Sequence, residues 1–202
     1  MNPASWRRRR LLAAGALAAA GLGACGIPAD DEPRAVSQEQ LPATTTTTVV
    51  DESQTVAVDL FFVHSEEDRD VLTTVEREVP VRSESGQPTP ATVLESLLGG
   101  VTAEERDEAA VVNRIPPDTA LASPPVLSGG TLTVDLDRRI STVQGDGARL
   151  AYGQMVCTMD ALDEVERVLF LVEGEAVQPP DGNGEVSSAP LTCASYDNLF
   201  GG

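Results

Sequence analysis

Few side chains in this 202-residue sequence could act as acids, bases or nucleophiles near neutral pH. His64 is the sole histidine, and the acidic residues Glu66, Glu67, Asp68 and Asp70 follow it closely. An imidazole beside carboxylates could serve as a general base or bind a metal ion. The same pattern is typical of a solvated, charged turn, and no G-x-S-x-G motif accompanies it. We therefore expect His64 to be a solvated turn residue.

Two further groups of carboxylates could bind a divalent cation. Asp135 and Asp137 alternate with apolar residues, so both could project from one strand face as an acid pair. Residues 181–185 read Asp-Gly-Asn-Gly-Glu, like the start of a calcium loop, but Val186 and Thr192 occupy positions where such a loop needs Gly and Glu. We expect a solvated strand face in the first case and a polar turn in the second.

The charged residues limit the chemistry further. All fourteen basic residues are Arg, and 32 acidic residues bring the formal net charge to −18. The missing Lys excludes P-loop phosphate binding, Schiff-base catalysis and pyridoxal phosphate enzymes, and a single His excludes His-rich zinc sites. Nucleic acid is excluded as a partner because phosphate binding needs clustered cations. The sequence predicts no cofactor and no metal, and its acidity indicates either a basic partner or only a soluble surface.

The N-terminal segment is typical of an export signal. Arg7–Arg10 form a positive region, and the apolar stretch Leu11–Leu22 is too short to cross a bilayer as a helix. The run Leu22-Gly23-Ala24-Cys25 resembles the lipobox of bacterial lipoproteins, in which the Cys thiol is diacylglyceryl-modified before cleavage. The resemblance implies that residues 1–24 are removed and that acyl chains such as palmitate on Cys25 hold the protein on the extracytoplasmic face of the cell membrane. An ordinary secretory signal is the alternative, and the Sec and twin-arginine routes both stay open.

The two remaining cysteines form an even pair for an oxidising compartment. Cys157 and Cys193 lie 36 residues apart, and closing a loop of that length stabilises a protein by about 4 kcal/mol in the chain-entropy model. We expect a disulfide between them because of the compartment. Two unrelated buried thiols are the alternative.

Composition divides the exported chain into three parts. Residues 25–54 contain a Thr tract and internal prolines without periodicity, which predicts a disordered tether behind the lipid. Residues 55–177 carry the strand and helix patterns of one folded domain. Residues 178–202 are a Gly- and Pro-rich tail containing Cys193, and we expect the disulfide to tie this tail back to the domain.

The element order in the folded part is ββ-α-ββ-α-β. The first predicted helix begins at the N-cap Thr89, and a second short helix, not counted in this order, begins at Thr102 in a capping box with Glu105. A longer helix covers Ala148–Leu162. Predicted strands are Val56–Val63, Val71–Val81, Ala120–Leu127, Thr131–Leu136 and Val165–Val172. The order predicts a single compact α+β domain with a mostly antiparallel or mixed sheet and helices packed on one face.

A series of short segments, in this order, resembles the GerMN domain, a sporulation and spore-germination module of bacterial surface lipoproteins. The segments are Phe61-Phe62, Arg77-Glu78-Val79-Pro80, Val93–Leu98, Arg114–Leu121, Gly130–Leu136, Ala151 with Gln154–Thr158, and Val168–Gly174. Gly100-Val101 stands where the family often has Pro, and Glu173 replaces a usual Asp. The resemblance implies work by protein contact at the cell envelope, and it provides no catalytic positions to transfer.

The interpretation that follows is a lipid-anchored, non-enzymatic interaction, assembly or regulatory module outside the cytoplasmic membrane. A binder of small ligands or cell-wall fragments, with a pocket between helix and sheet, is the main alternative. A hydrolase built on Asp135 and Asp137, or on His64, is a third hypothesis, and it requires acids with perturbed pKa values in one cleft.

Overall fold

The structure is a computed structural model that describes residues 54–66 and 69–201. This part of the chain contains seven strands and three α-helices. One sheet has the order β2-β1-β3 and the other the order β4-β5-β6-β7. The strands are β1 (Thr55–Ser65), β2 (Asp70–Pro80), β3 (Val111–Val112), β4 (Leu121–Ser128), β5 (Thr131–Leu136), β6 (Arg167–Val172) and β7 (Glu175–Ala176). The helices are α1 (Pro90–Leu98), α2 (Ala103–Ala109) and α3 (Asp146–Asp160), with 3-10 helices at Arg138–Thr142 and Cys193–Leu199. The predicted α+β class is confirmed.

The strands form two sheets rather than the single sheet that the element order suggests. Between β3 and β4 the chain passes through Pro116 and Pro117, which cannot donate ladder hydrogen bonds. Asp118 follows with a left-handed φ of 61° and turns the chain away from the first sheet. β4 therefore begins a second sheet, in which β5 and β6 are parallel and the other neighbouring strands are antiparallel.

Local sequence signals determine where the short elements begin and turn. The Thr89 hydroxyl accepts a hydrogen bond from the backbone of Thr92 at the start of α1, and Thr102 makes the predicted capping box with Glu105 in α2. The β4–β5 turn uses Gly129 and Gly130 at φ 54° and 73°, values that favour glycine. The sequence predicted all three features.

Helix α3 lies at the centre of the domain. Eleven of its fifteen residues are buried, so it has no solvent-facing side of the kind that a surface helix carries. It packs against both sheets, α1 and the C-terminal segment. This central position differs from the predicted layer of helices on one face, and it arises because the two sheets, α1 and the C-terminal segment all cover the helix.

The side of β1 that faces away from β2 is covered by α3 instead of by a full strand. β3 pairs there only with Val63 and His64. Further along, the Phe61 N–H donates to Thr158 Oγ1 at 2.9 Å, and the Phe61 carbonyl accepts from Gln154 Nε2 at 3.1 Å. Side chains of α3 therefore satisfy backbone groups that would otherwise be unpaired.

The C-terminal segment connects the two sheets. Leu191 exchanges both backbone hydrogen bonds with Val168 of β6, each at 2.8 Å, and Phe200 forms an isolated bridge with Leu72 of β2. Between these points the disulfide joins Cys193 to Cys157 of α3.

Within residues 54–66 and 69–201, none of the helices has the length and apolar character that a membrane span needs.

Candidate functional site

His64 lies inside a strand and not in a turn, so the expectation of a turn residue is wrong. It stands opposite Val71 of β2 and Val111 of β3 in the first sheet. Its Nδ1 is 3.3 Å from the carbonyl oxygen of Ala110. The reason is that β1 continues to Ser65, because β2 and β3 both pair with its last residues.

Asp135 and Asp137 do not form an acid pair on one strand face. Asp135 lies in β5, where it accepts hydrogen bonds from the Gly174 N–H at 3.0 Å and the Ser123 hydroxyl at 3.2 Å. Asp137 follows the end of β5 and caps the 3-10 helix by accepting from the Arg139 N–H at 3.1 Å. Each carboxylate therefore has its own structural partners, which gives it an ordinary local role.

The acidic segment after Pro180 is a polar turn, as the sequence predicted. Asp181 Oδ1 accepts from the backbone N–H groups of Asn183 at 2.8 Å and Glu185 at 3.0 Å. These bonds close the segment as an Asx turn. In the described part of the chain, no three His, Cys, Asp or Glu side chains come together as a metal site.

Arg77 connects β2 to both short helices, a role that sequence reasoning missed. Its guanidinium donates to Glu105 Oε1 at 2.7 Å and to the Gly100 carbonyl at 2.8 Å, and it also binds the Ser96 carbonyl. The charged group lies 5.2 Å from the centre of the Phe62 ring. Burial raises the pKa of Glu105, but the hydrogen bonds from Arg77 and the Thr102 backbone outweigh it and hold that pKa below its usual value. An Arg between two Glu residues of a strand, with a capping-box Glu downstream, was the available signal.

Gln154 is the second polar residue that sequence reasoning passed over. It is fully buried, and its Oε1 accepts from the Arg114 N–H at 2.8 Å while its Nε2 donates to Phe61 and Asn113 oxygens, each at 3.1 Å. Thr158 lies one turn further along α3 and binds the Phe61 N–H at 2.9 Å. Two polar residues at i and i+4 in the apolar middle of the helix could have indicated this network.

The tail is fixed by more than the disulfide. Tyr196 is fully buried and its hydroxyl donates to the Pro180 carbonyl at 2.9 Å. Burial, with a smaller contribution from Asp181, raises the pKa of the Tyr196 phenol. Gly182 packs so tightly here that an added Cβ would lie 2.0 Å from Asn198 Oδ1. This segment is therefore part of the domain core.

Of the clefts on the described part of the chain, two bear on the hypotheses of a ligand or a partner. One, of about 500 Å³, lies between α1 and the start of β4 and is lined mainly by Glu95, Leu98, Asp118, Thr119 and Leu121. The second, of about 340 Å³, lies between β2 and α2 and has the carboxylates Glu76, Glu78, Glu104 and Glu108 on its walls. The first fits the predicted pocket between helix and sheet, and the second is strongly acidic.

Comparison with protein families identifies the folded part. The family model Germane, described as sporulation and spore germination, matches residues 59–178, more than half of the chain. The chain belongs to the Germane family. The match covers the segments on which the GerMN resemblance rested, and the recognition is confirmed.

One solved structure of GerMN domains shares this fold. The tandem GerMN domains of the sporulation protein GerM from Bacillus subtilis align with a TM-score of 0.57 and 18% identity, covering 75% of this chain and 50% of that one. The chain thus spans half the length of that tandem protein. The first GerMN domain of the same protein gives a TM-score of 0.48 with 16% identity, covering 68% of this chain and 97% of that one. The search of curated proteins gives no match.

Proposed function

We propose that this Germane protein is anchored by lipid on Cys25 to the extracytoplasmic face of the cell membrane. There it acts without catalysis, as an interaction, assembly or regulatory module of the envelope. Cys25, the residues 1–24 before it and most of the tether 25–54 lie outside the described residues, so the anchor rests on the lipobox pattern. Two acyl chains bind a membrane stably where one does not.

The positions of the candidate acids support a role without catalysis. Asp135 supports the turn at Gly174, Asp137 caps a 3-10 helix, and Asp181 closes a polar turn. Each carboxylate therefore has backbone donors that explain its presence. The observation that carries the proposal is the order of the chain, a lipobox Cys and a polar tether in front of a Germane domain.

Lipid labelling tests the anchor. We expect wild-type protein expressed in a bacterium to incorporate a labelled fatty acid and to partition into detergent, and we expect Cys25→Ala to do neither. Equal labelling of the two proteins would contradict the anchor. Cross-linking in intact cells tests the second half: a partner bound by wild type and by His64→Asn alike supports an interaction module. A hydrolytic activity that His64→Asn abolishes would overturn it.

A binder of small ligands or wall fragments is the second candidate, and the cleft beside α1 favours it. Its apolar walls carry two carboxylates, Glu95 and Asp118, and Asp118 has a left-handed backbone of the kind that often occurs at binding sites. Ala120 lines the cleft and is exposed, so Ala120→Trp would fill it without disturbing the core. Soluble peptidoglycan fragments that raise the Tm of wild type but not of Ala120→Trp would favour this function.

A further inference from the structure

The backbone groups on the outer edge of β2 point away from β1, the strand that pairs with β2 along its whole length. The Phe61 N–H and C=O bind side chains of α3, although Thr74 of β2 stands opposite Phe61. Phe61 and Thr74 are therefore a non-hydrogen-bonded pair, and alternate residues of β2 direct their N–H and C=O groups outward. From Leu72 to the end of β2, the outward-directed residues by this register are Leu72, Thr74, Glu76, Glu78 and Pro80.

Both ends of this row agree with the assignment. Leu72 at one end is bridged by Phe200 of the tail, which shows that the edge accepts another backbone. Pro80 at the other end has no N–H, and proline occurs in strands where that donor would face outward. Between them, Thr74, Glu76 and Glu78 have no backbone partner on this side within residues 54–66 and 69–201. About three residues of open strand edge are left.

Carboxylates outnumber arginines around this edge, and Arg77 in the cleft is already bound to Glu105. Glu76 and Glu78 are exposed on β2, and Glu104 and Glu108 are exposed on α2 across the cleft. None of the four makes an ion pair in the described part of the chain. In the sheet, Glu76 also stands opposite Asp59, and directly opposed like charges destabilise a strand pair. Bound cations would relieve this repulsion.

We propose that the edge of β2 from Thr74 to Glu78 binds an extended, basic segment of a partner protein by strand addition. The backbone of the segment pairs with the three outward-directed residues, and its Arg or Lys side chains meet carboxylates on β2 and on α2. A second copy of this chain does not suit the edge, because its net charge of −18 makes the approach repulsive. The inference rests on the proposed function, since it names the surface by which the module contacts its partner.

A synthetic peptide measures the proposed binding. The probe is acetyl-Thr-Arg-Val-Arg-Thr-Arg-Val-amide carrying a fluorophore, and its match has Gln in place of each Arg. We expect the basic peptide to bind the full chain and the Gln peptide to bind much more weakly. Glu76→Gln combined with Glu78→Gln should weaken the basic peptide about fivefold at low salt. Asp163→Asn combined with Glu164→Gln removes the same charge from exposed positions elsewhere and should leave the affinity within about twofold.

The backbone requirement separates strand addition from general attraction. Glu76→Pro removes an outward N–H without removing a bond to β1, so it should abolish binding while circular dichroism shows a folded protein. Hydrogen exchange of the wild-type chain provides a readout without any variant. Adding the basic peptide to the wild-type chain should slow hydrogen exchange of the Thr74, Glu76 and Glu78 amides. Binding that survives Glu76→Pro, falls equally in the control variant, or leaves these amides unprotected would overturn the proposal. If cross-linking to the partner in cells persists in Glu76→Pro, the edge of β2 is not the partner-binding surface, while the proposed interaction module still stands.

Discussion

The bond network of Arg77 should make this residue one of the most sensitive polar positions of the domain. Arg77→Met keeps the aliphatic length but removes the guanidinium, leaving the Glu105 carboxylate and the Ser96 and Gly100 carbonyls without that donor. Breaking one side of a buried ion pair costs about 3–5 kcal/mol. The Arg77 and Glu105 side chains are still 16% and 11% exposed, so water compensates part of the loss. We expect the free energy of unfolding to fall by about 2–4 kcal/mol.

Urea unfolding followed by circular dichroism measures this loss. Arg82→Met is the matched control, because Arg82 pairs with Glu95 at 3.1 Å but both side chains are more than half exposed. Removing such a surface pair costs about 0–1 kcal/mol. The double variant Arg77→Met with Glu105→Gln should be less destabilised than the sum of its two single variants, since each single change removes the same contact. Equal losses for Arg77→Met and Arg82→Met would refute the reasoning.

The pKa of Glu105 adds a pH dependence with a definite sign. Because its folded-state pKa lies below the usual value of 4.5, the pair contributes fully above that value. The contribution is lost as the pH falls through the lower, folded pKa. Unfolding experiments between about pH 5 and pH 3 should therefore show a steeper loss of stability in wild type than in Arg77→Met.

Removing the buried Gln154 amide or the disulfide should also lower the stability of the domain. Gln154→Met removes the buried amide that binds Phe61 and Arg114, and we expect the free energy of unfolding in urea to fall by about 2–4 kcal/mol. The neighbouring control Met155→Leu should lower it by less than about 1.5 kcal/mol. Similar losses in the two variants would argue against a role for the hydrogen bonds. Reducing Cys157–Cys193 should lower stability by up to about 4 kcal/mol, and proteolysis followed by mass spectrometry should then cut the tail before the core. Two free thiols in the exported protein would exclude the bond.

Local signals along the chain predict most of the longer elements but not how the elements assemble. Thr89, Thr102 and the Gly129–Gly130 turn are each explained by hydrogen bonds or φ values within a few residues, so short-range chemistry decides them. Helix α3 begins at Asp146, two residues before the predicted start. The division into two sheets depends instead on how far Pro116, Pro117 and Asp118 turn the chain, and periodicity carries no information about that.

Sequence patterns predict the partners of the polar side chains less well than they predict the helices and strands. Asp135 and Asp137 have the spacing of an acid pair, but the end of β5 at Leu136 separates them into different elements. Arg77 and Gln154 instead acquire their roles from residues 28 and 40 positions away. Pairings over such separations follow from the tertiary fold, so local sequence patterns do not reveal the partners of Arg77 and Gln154.

The distribution of arginines explains why the acidic edge of β2 needs a partner from outside. With no Lys in the sequence, Arg is the only strong cation available to the domain. Within residues 54–66 and 69–201, eight arginines make ion pairs and Arg106 donates to a backbone carbonyl. Arg77, the arginine nearest to the cleft, is already bound to Glu105. Arg106 on α2 is the one described arginine without an ion pair, and a single cation cannot balance Glu76, Glu78, Glu104 and Glu108. A basic segment is therefore a partner whose arrival would lower the electrostatic energy of this surface.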